Sequence, residues 1–308
     1  MTHIKSLGMS SFKKILGFVV VFLAAFFIIR ILLIQSKQIE ASLSHIRPEN
    51  IILSIVMFFV YFYARAISWN LLLKSLGSHL KLRDSLFAWF AGESTRYIPG
   101  NLWSFASRFY LSSAKGVQKA NIILSMMLEV VVLLPVSLFL SLPAFWANYQ
   151  KMNLNIYTII IITLIVVSVF MVFLFSNRVK QLVNKLHTIP VKVFTSKVFL
   201  GAIIFQLIAW TTFGLGNYFL IRPFATHTSI VLLVSIAIFA WFIGYVSIVT
   251  PMGLGVREGA IILLLGTTIG SGQASLAAIL SRVILTGVEG VNLLYWLYLY
   301  QRRKKQHE

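Results

Sequence analysis

Nine charged residues fall inside or beside apolar stretches of this sequence: Arg65, Glu93, Arg96, Arg108, Glu129, Arg257, Glu258, Arg282 and Glu289. A charge at the bilayer centre costs at least about 2.5–3.5 kcal/mol on insertion scales, so each one needs a partner or a purpose. Five bases and four acids can neutralise one another as helix glue. They can also line a polar cavity for an anionic headgroup or a coupled ion. The arginines suit a phosphate, because a planar guanidinium reaches it with two parallel hydrogen bonds. Arg96, Arg108 and Arg257, with Trp103, are the expected headgroup ligands. Glu93, Glu129, Glu258 and Glu289 are expected to balance charge or carry protons. Arg30 lies near the end of its apolar run and snorkels to the interface.

Two polar interruptions hold most of these residues. In the first, around 93–108, Glu93 and Arg96 are three apart and share a helix face. Pro99 and Gly100 then break the helix, one by steric clash and a missing N–H, the other by its backbone freedom. The second, around 250–260, contains Pro251, Gly253 and Gly255. A helix restarting near Val256 points its positive N-terminal end into the break, an arrangement that favours anions and is reinforced by Arg257. Freed backbone groups at membrane depth are tolerated only where protein buries them or water reaches them.

The elements that must position these residues are membrane helices. Of 308 residues, 58% are hydrophobic and only 11% charged, far from the roughly one-quarter charged content of soluble domains. Apolar runs long enough to cross a bilayer fall at 15–34, 51–73, 120–142, 156–175, 198–221, 229–249 and 273–300. The fold class expected is an all-α polytopic bundle of about eight spans with two broken or re-entrant segments. Each interruption follows a pair of long spans, the pointer to a repeat-built transporter. The eighth span comes from counting 260–269 as a short crossing, which leaves both termini inside. Counting that run alone as re-entrant would put the basic tail outside. Residues 1–308 are expected to form one integral membrane domain, with 301–308 as a basic cytoplasmic tail.

The formal net charge of +19 sits in short stretches between apolar runs. That is the positive-inside pattern rather than a nucleic-acid surface. No nucleic acid is expected as a partner. Asp84 is the single aspartate, so a paired-Asp metal site is impossible. His3, His45, His79, His187, His227 and His307 lie at termini or in loops, without the spacing of a zinc site. Neither a phosphate-binding Gly-rich loop ending in Lys–Ser/Thr nor a Gly-x-Ser-x-Gly elbow occurs. No metal, no cofactor and no enzymatic activity is expected.

At the two breaks the sequence resembles a known family. Arg96-Tyr-Ile-Pro-Gly-Asn-Leu-Trp103, followed by Arg108, is similar to the Arg/Lys-Tyr-x-Pro-Gly-x-x-Trp…Arg element of the lysylphosphatidylglycerol synthase transmembrane-region family, also called flippase-like domain proteins. Gly253-Leu-Gly-Val-Arg-Glu-Gly259 is similar to its second element, Gly-Gly-x-Gly-x-Arg-Glu. The chain departs from many members at Val130 and Leu133, where Arg and Asp follow the third-span Glu, and at Met252, where a small residue is usual.

The resemblance implies lipid handling without the synthetase activity of the fused family members. It implies an integral inner-membrane protein of bacterial type, both termini cytoplasmic, that binds and translocates an anionic membrane lipid. A phosphate-headed glycolipid or a polyprenyl-phosphate-linked lipid of envelope biogenesis fits, and a glycosyltransferase or another envelope-lipid enzyme is a partner to expect. Two alternatives stay open. One is a non-transporting accessory or scaffold subunit for a glycosyltransferase. The other is an intramembrane lipid transferase with Glu93 or Glu258 as base.

Overall fold

The computed structural model describes residues 46–95, 103–148, 193–194, 196–246, 253 and 255–307. These form eight α-helices: α1 (Pro48–Ser75), α2 (Leu82–Ser94), α3 (Trp103–Ser113), α4 (Lys119–Asn148), α5 (Lys197–Ile221), α6 (Ile230–Val246), α7 (Val256–Ile269) and α8 (Ser271–His307). The expected spans at 15–34 and 156–175, and Arg96, Pro99, Gly100 and Pro251, lie outside the described residues.

Four of the helices, α1, α4, α5 and α8, are long and apolar enough to cross a membrane. The other four are shorter. At 1.5 Å per residue, α2, α3 and α7 reach only about 15–20 Å and α6 about 25 Å, against a hydrocarbon core of about 30 Å. Gly270, at φ 87°, turns the chain between α7 and α8 with a single residue, a left-handed conformation that excludes most side chains.

Side-chain contacts fix the directions. α1 runs antiparallel to α4: Trp69 Nε1 donates to Ser125 Oγ at 3.1 Å, and Arg65, one turn earlier, meets Glu129, one turn later. α1 also runs antiparallel to α5. Ser68 Oγ donates to the Ala202 carbonyl at 2.8 Å, and further along Phe58 packs on Phe213. A Cβ at Gly216 would meet the Phe58 ring at 2.7 Å, so this glycine is what lets the two helices close.

The short helices pair into hairpins. Lys115, just beyond α3, lies 3.6 Å from Asp84 in the first turn of α2. Gly92, near the end of α2, faces Ser104 and Arg108 on α3. So α3 runs back along α2. In the same way, Gly244 at the end of α6 abuts Gly253 and Arg257. Leu233, at the other end of α6, packs in one cluster with Leu264 and Leu265 from the end of α7. α7 and α8 are again antiparallel, joined by Glu258–Arg282 and Arg257–Ser281 contacts on either side of the Gly270 turn.

One end of the bundle therefore gathers the ends of α1, α3 and α8 and the starts of α2, α4 and α5, closed by the stacked rings of Phe87 and Tyr300, 4.6 Å apart. The opposite end gathers Ala144, Ile221, Leu233, Leu265 and Ala274 in one apolar cluster. The described helices form two copies of one plan, a long helix, a half-depth hairpin and a long helix. In α1–α4 the hairpin enters from the first end; in α5–α8 it enters from the second. The halves are inverted repeats, an arrangement seen in transporter folds built around a midplane site.

This revises the sequence-based count. The run at 260–269 is not a short crossing, because α7 starts beside the interior cavity, where Arg257 shares the wall with Arg65 and Glu129, and runs back to the end where α6 begins. Nor is α6 a full crossing. The two changes cancel, so the end of α8 stays at the same end of the bundle as the start of α2.

Two outcomes check this architecture. The chain has no cysteine, so single Lys81→Cys, Lys115→Cys and Arg302→Cys variants should label with an impermeant maleimide from one face of the membrane. His227→Cys and Gln273→Cys should label only from the other. Second, Gly255→Ala should lower stability by about 1–2 kcal/mol through its positive φ alone. Gly253→Ala should cost more, because its Cβ would also fall 2.7 Å from the Gly244 backbone. Thermal unfolding in detergent reads the order.

Candidate functional site

Residues of both hairpins line a cavity of about 290 Å³ inside the bundle. Its described wall carries four arginines, Arg65, Arg108, Arg257 and Arg282, and two glutamates, Glu93 and Glu129. All six are buried. Their formal sum is an excess of two positive charges. Each half supplies its share by the same device. The returning helix of each hairpin contributes one arginine, Arg108 from α3 and Arg257 from α7. A glycine on the partner helix makes room for it. A Cβ at Gly92 would meet the Arg108 side chain at 2.6 Å, and one at Gly244 would meet Arg257 Cβ at 3.3 Å.

Glu129 is the hub of the first half. Its Oε1 accepts from Arg65 Nη2 at 3.2 Å and from Trp89 Nε1 at 3.4 Å, and its Oε2 accepts from Arg108 Nη1 at 2.5 Å. Arg65 also lies 3.6 Å from Glu93 and donates to the Tyr61 hydroxyl at 3.2 Å. Aromatic faces complete the cage. Arg65 sits 5.1 Å from the Trp89 ring centre, and Arg108 sits 5.4 Å from those of Trp69 and Phe105. A desolvated cation gains from a ring face at such distances. The Nε–H groups of Arg65 and Arg108 are buried with no hydrogen-bond acceptor among the described residues. An anion in the cavity can serve as an acceptor for such donors.

The second half holds its arginines differently. Arg257 Nη2 donates to Ser281 Oγ at 3.2 Å, Ser281 in turn donates to Asn217 Oδ1, and the guanidinium lies 4.9 Å from the Phe213 ring centre. Asn217 is fixed by its own donation to the Phe213 carbonyl at 2.8 Å. Arg282 pairs with Glu258 at 3.0 Å. Glu258 also caps the start of α7, accepting from the Gly255 N–H at 2.8 Å.

The residues singled out from sequence thus separate. Glu93, Arg108, Glu129, Gly253 and Arg257 meet at the cavity. Glu258 stands behind it as a cap and counter-ion. Gly255 forms the N-cap of α7. Glu289 is buried in α8 outside the wall, and Trp103, at the start of α3, is nearly half exposed and also outside it. Tyr61, Ser104, Tyr245 and Trp241 line the cavity without having been singled out. Tyr61 lies one turn before Arg65 on α1, a spacing that could have revealed it. Arg65, recognised only as an intramembrane charge, joins the site through α1.

Removing the hub should be felt throughout this half. Glu129→Gln leaves Arg65 and Arg108 without their shared carboxylate, and breaking a buried pair this way costs about 3–5 kcal/mol. A fall in melting temperature well beyond that of Glu49→Gln, at the first turn of α1, is the expected result.

A comparison with curated proteins finds no match. A comparison with protein families does: residues 14–288 match the model described as the lysylphosphatidylglycerol synthase TM region. The match runs across both breaks, both hairpins and the charged cavity between them, and it covers most of the chain. This chain is an integral membrane protein of the lysylphosphatidylglycerol synthase TM-region family.

Proposed function

We propose that this protein binds an anionic, phosphate-headed lipid in the cavity and carries its headgroup between the leaflets of a bacterial-type inner membrane. The observation that carries the reading is the cavity itself, placed between two hairpins that enter from opposite ends and walled with an excess of positive charge. Its volume lies near the lower end for ligand sites. That suits a headgroup with the chains left in lipid. The substrates that fit are a glycolipid phosphate or a polyprenyl-phosphate-linked lipid of envelope biogenesis, supplied or used by an enzyme such as a glycosyltransferase.

Charge asymmetry supports the orientation. Lys74, Lys81, Arg83, Lys115, Lys119, Lys197 and Arg302 all belong to the bundle end where α2 starts, whereas the opposite end carries Arg47 and Arg222. By the positive-inside rule the first end is cytoplasmic, the basic tail included.

The test is a proteoliposome assay with a fluorescent phosphate-headed lipid whose outer-leaflet label can be quenched. The wild type should expose inner-leaflet lipid to the quencher much faster than empty vesicles do. Arg108→Lys and Arg257→Lys keep the charge and lose the planar fork. They should fold in normal amount and transport at least about tenfold more slowly, equivalent to about 1.4 kcal/mol of barrier. Normal transport by both variants would make these arginines structural partners only.

A further inference from the structure

We infer that the cavity selects anionic headgroups lacking an ammonium group, and that Val130 and Leu133 on α4 set this selectivity as a neutral stretch of wall. The inference rests on the lipid-binding reading above and adds a substrate class to it.

A headgroup ammonium needs a carboxylate or an aromatic face. Both glutamates of the described wall already face guanidinium groups. Glu129 uses both oxygens on Arg65, Arg108 and Trp89, and Glu93 stands 3.6 Å from Arg65. Taking Glu129 for an ammonium would strip two buried arginines of their counter-charge, the costly way to break such a cluster. Behind the wall, Glu258 is held by Arg282 and the Gly255 N–H. Residues 96–102 and 247–252 contain neither Asp nor Glu, and their one charged residue is Arg96; Glu289, one turn beyond the cavity-lining Leu285 on α8, is buried outside the wall and has contacts of its own.

The aromatic rings of the wall already carry a partner on one face each. Arg65 lies over Tyr61, Arg108 lies over Phe105, and Trp241 and Tyr245 stack on each other at 4.7 Å. An entering ammonium would meet four arginines in a site with little water to screen them. A phosphate meets the same arginines as ligands, with the Nε–H groups of Arg65 and Arg108 still lacking acceptors among the described residues.

On the same wall, α4 presents Val130 and Leu133, one and four residues beyond Glu129. A carboxylate at either position would face the cavity beside the arginines and lower its excess charge. Val130 is only partly buried and is the safer site for substitution; Leu133 is buried.

The experiment compares lipids with headgroups of similar size. The purified full chain in phosphatidylcholine nanodiscs is titrated with phosphatidylglycerol and with phosphatidylethanolamine, and occupancy is read by native mass spectrometry. Inorganic phosphate serves as a third ligand, scored by its shift of the melting temperature. Phosphatidylglycerol should bind at least about tenfold more tightly than phosphatidylethanolamine, and Arg257→Lys, which keeps the charge and loses the planar fork, should weaken phosphatidylglycerol binding. Val130→Asp, with a cooperative melting transition confirming its fold, should narrow the ratio by about tenfold; Leu133→Asp is a second variant with the same expectation.

Equal binding of the two lipids by the wild type, sensitive to Arg257→Lys, overturns the selectivity and leaves lipid binding intact. An unchanged ratio in folded Val130→Asp overturns the role of the α4 wall. Binding of inorganic phosphate with no retention of phosphatidylglycerol assigns the site to a free anion and overturns the lipid reading and the selectivity together.

Discussion

One carboxylate holds the first half of this membrane protein together. Glu129, on a helix otherwise made almost wholly of apolar and small residues, accepts hydrogen bonds from Arg65 on α1, Trp89 on α2 and Arg108 on α3. In lipid there is no water-driven force to press helices together, since the tails are as apolar as the side chains. A buried charge cluster supplies direction that apolar packing alone lacks. It also raises the stakes, because any member left unpaired at this depth is expensive. The aromatic rings around Arg65 and Arg108 are part of the same solution. They surround the cations with polarisable faces and leave selected donors pointing to no acceptor among the described residues.

The second half reaches a similar arrangement with fewer charges. Arg257 is held by a neutral relay of Ser281 and Asn217 and by a phenylalanine face. A hydroxyl and an amide orient a guanidinium without neutralising it. The positive excess of the cavity therefore arises chiefly where the second hairpin enters, while the first half is closer to balanced.

The sequence displayed the parts of this site more clearly than their arrangement. Charges within apolar runs announced themselves by their solvation cost, so Arg65, Arg108, Glu129, Arg257 and Arg282 could be picked out before any fold was known. Gly253 and Gly255 marked the second break for the same kind of reason, since a backbone with positive φ leaves few alternatives. Direction was not legible. A 14-residue apolar run reads alike whether it continues outward or doubles back, because hydropathy has no sign along the helix axis. The distinction resides in contacts such as Leu233 with Leu264 and Glu258 with Arg282, which join residues far apart in the chain. Asn217 and Ser281 were passed over because a polar residue in a span is common, and only the Arg257 side chain reveals what theirs are for. Glu258 looked like a cavity residue because it adjoins Arg257, but successive helical residues point about 100° apart, and it faces α8 instead.

The single-residue turn at Gly270 ties α7 to the longest of the described helices. With one residue between them and an ion pair across the hairpin, α7 has almost no slack of its own. Any tilt of α8 is transmitted to Arg257 as leverage, and both second-half arginines travel with that helix as one rigid arm. The first-half arginines are tethered instead to Glu129 on α4. The cavity is thus a joint between two stiff levers, the α7–α8 arm on one side and the Glu129-centred cluster of α1, α3 and α4 on the other.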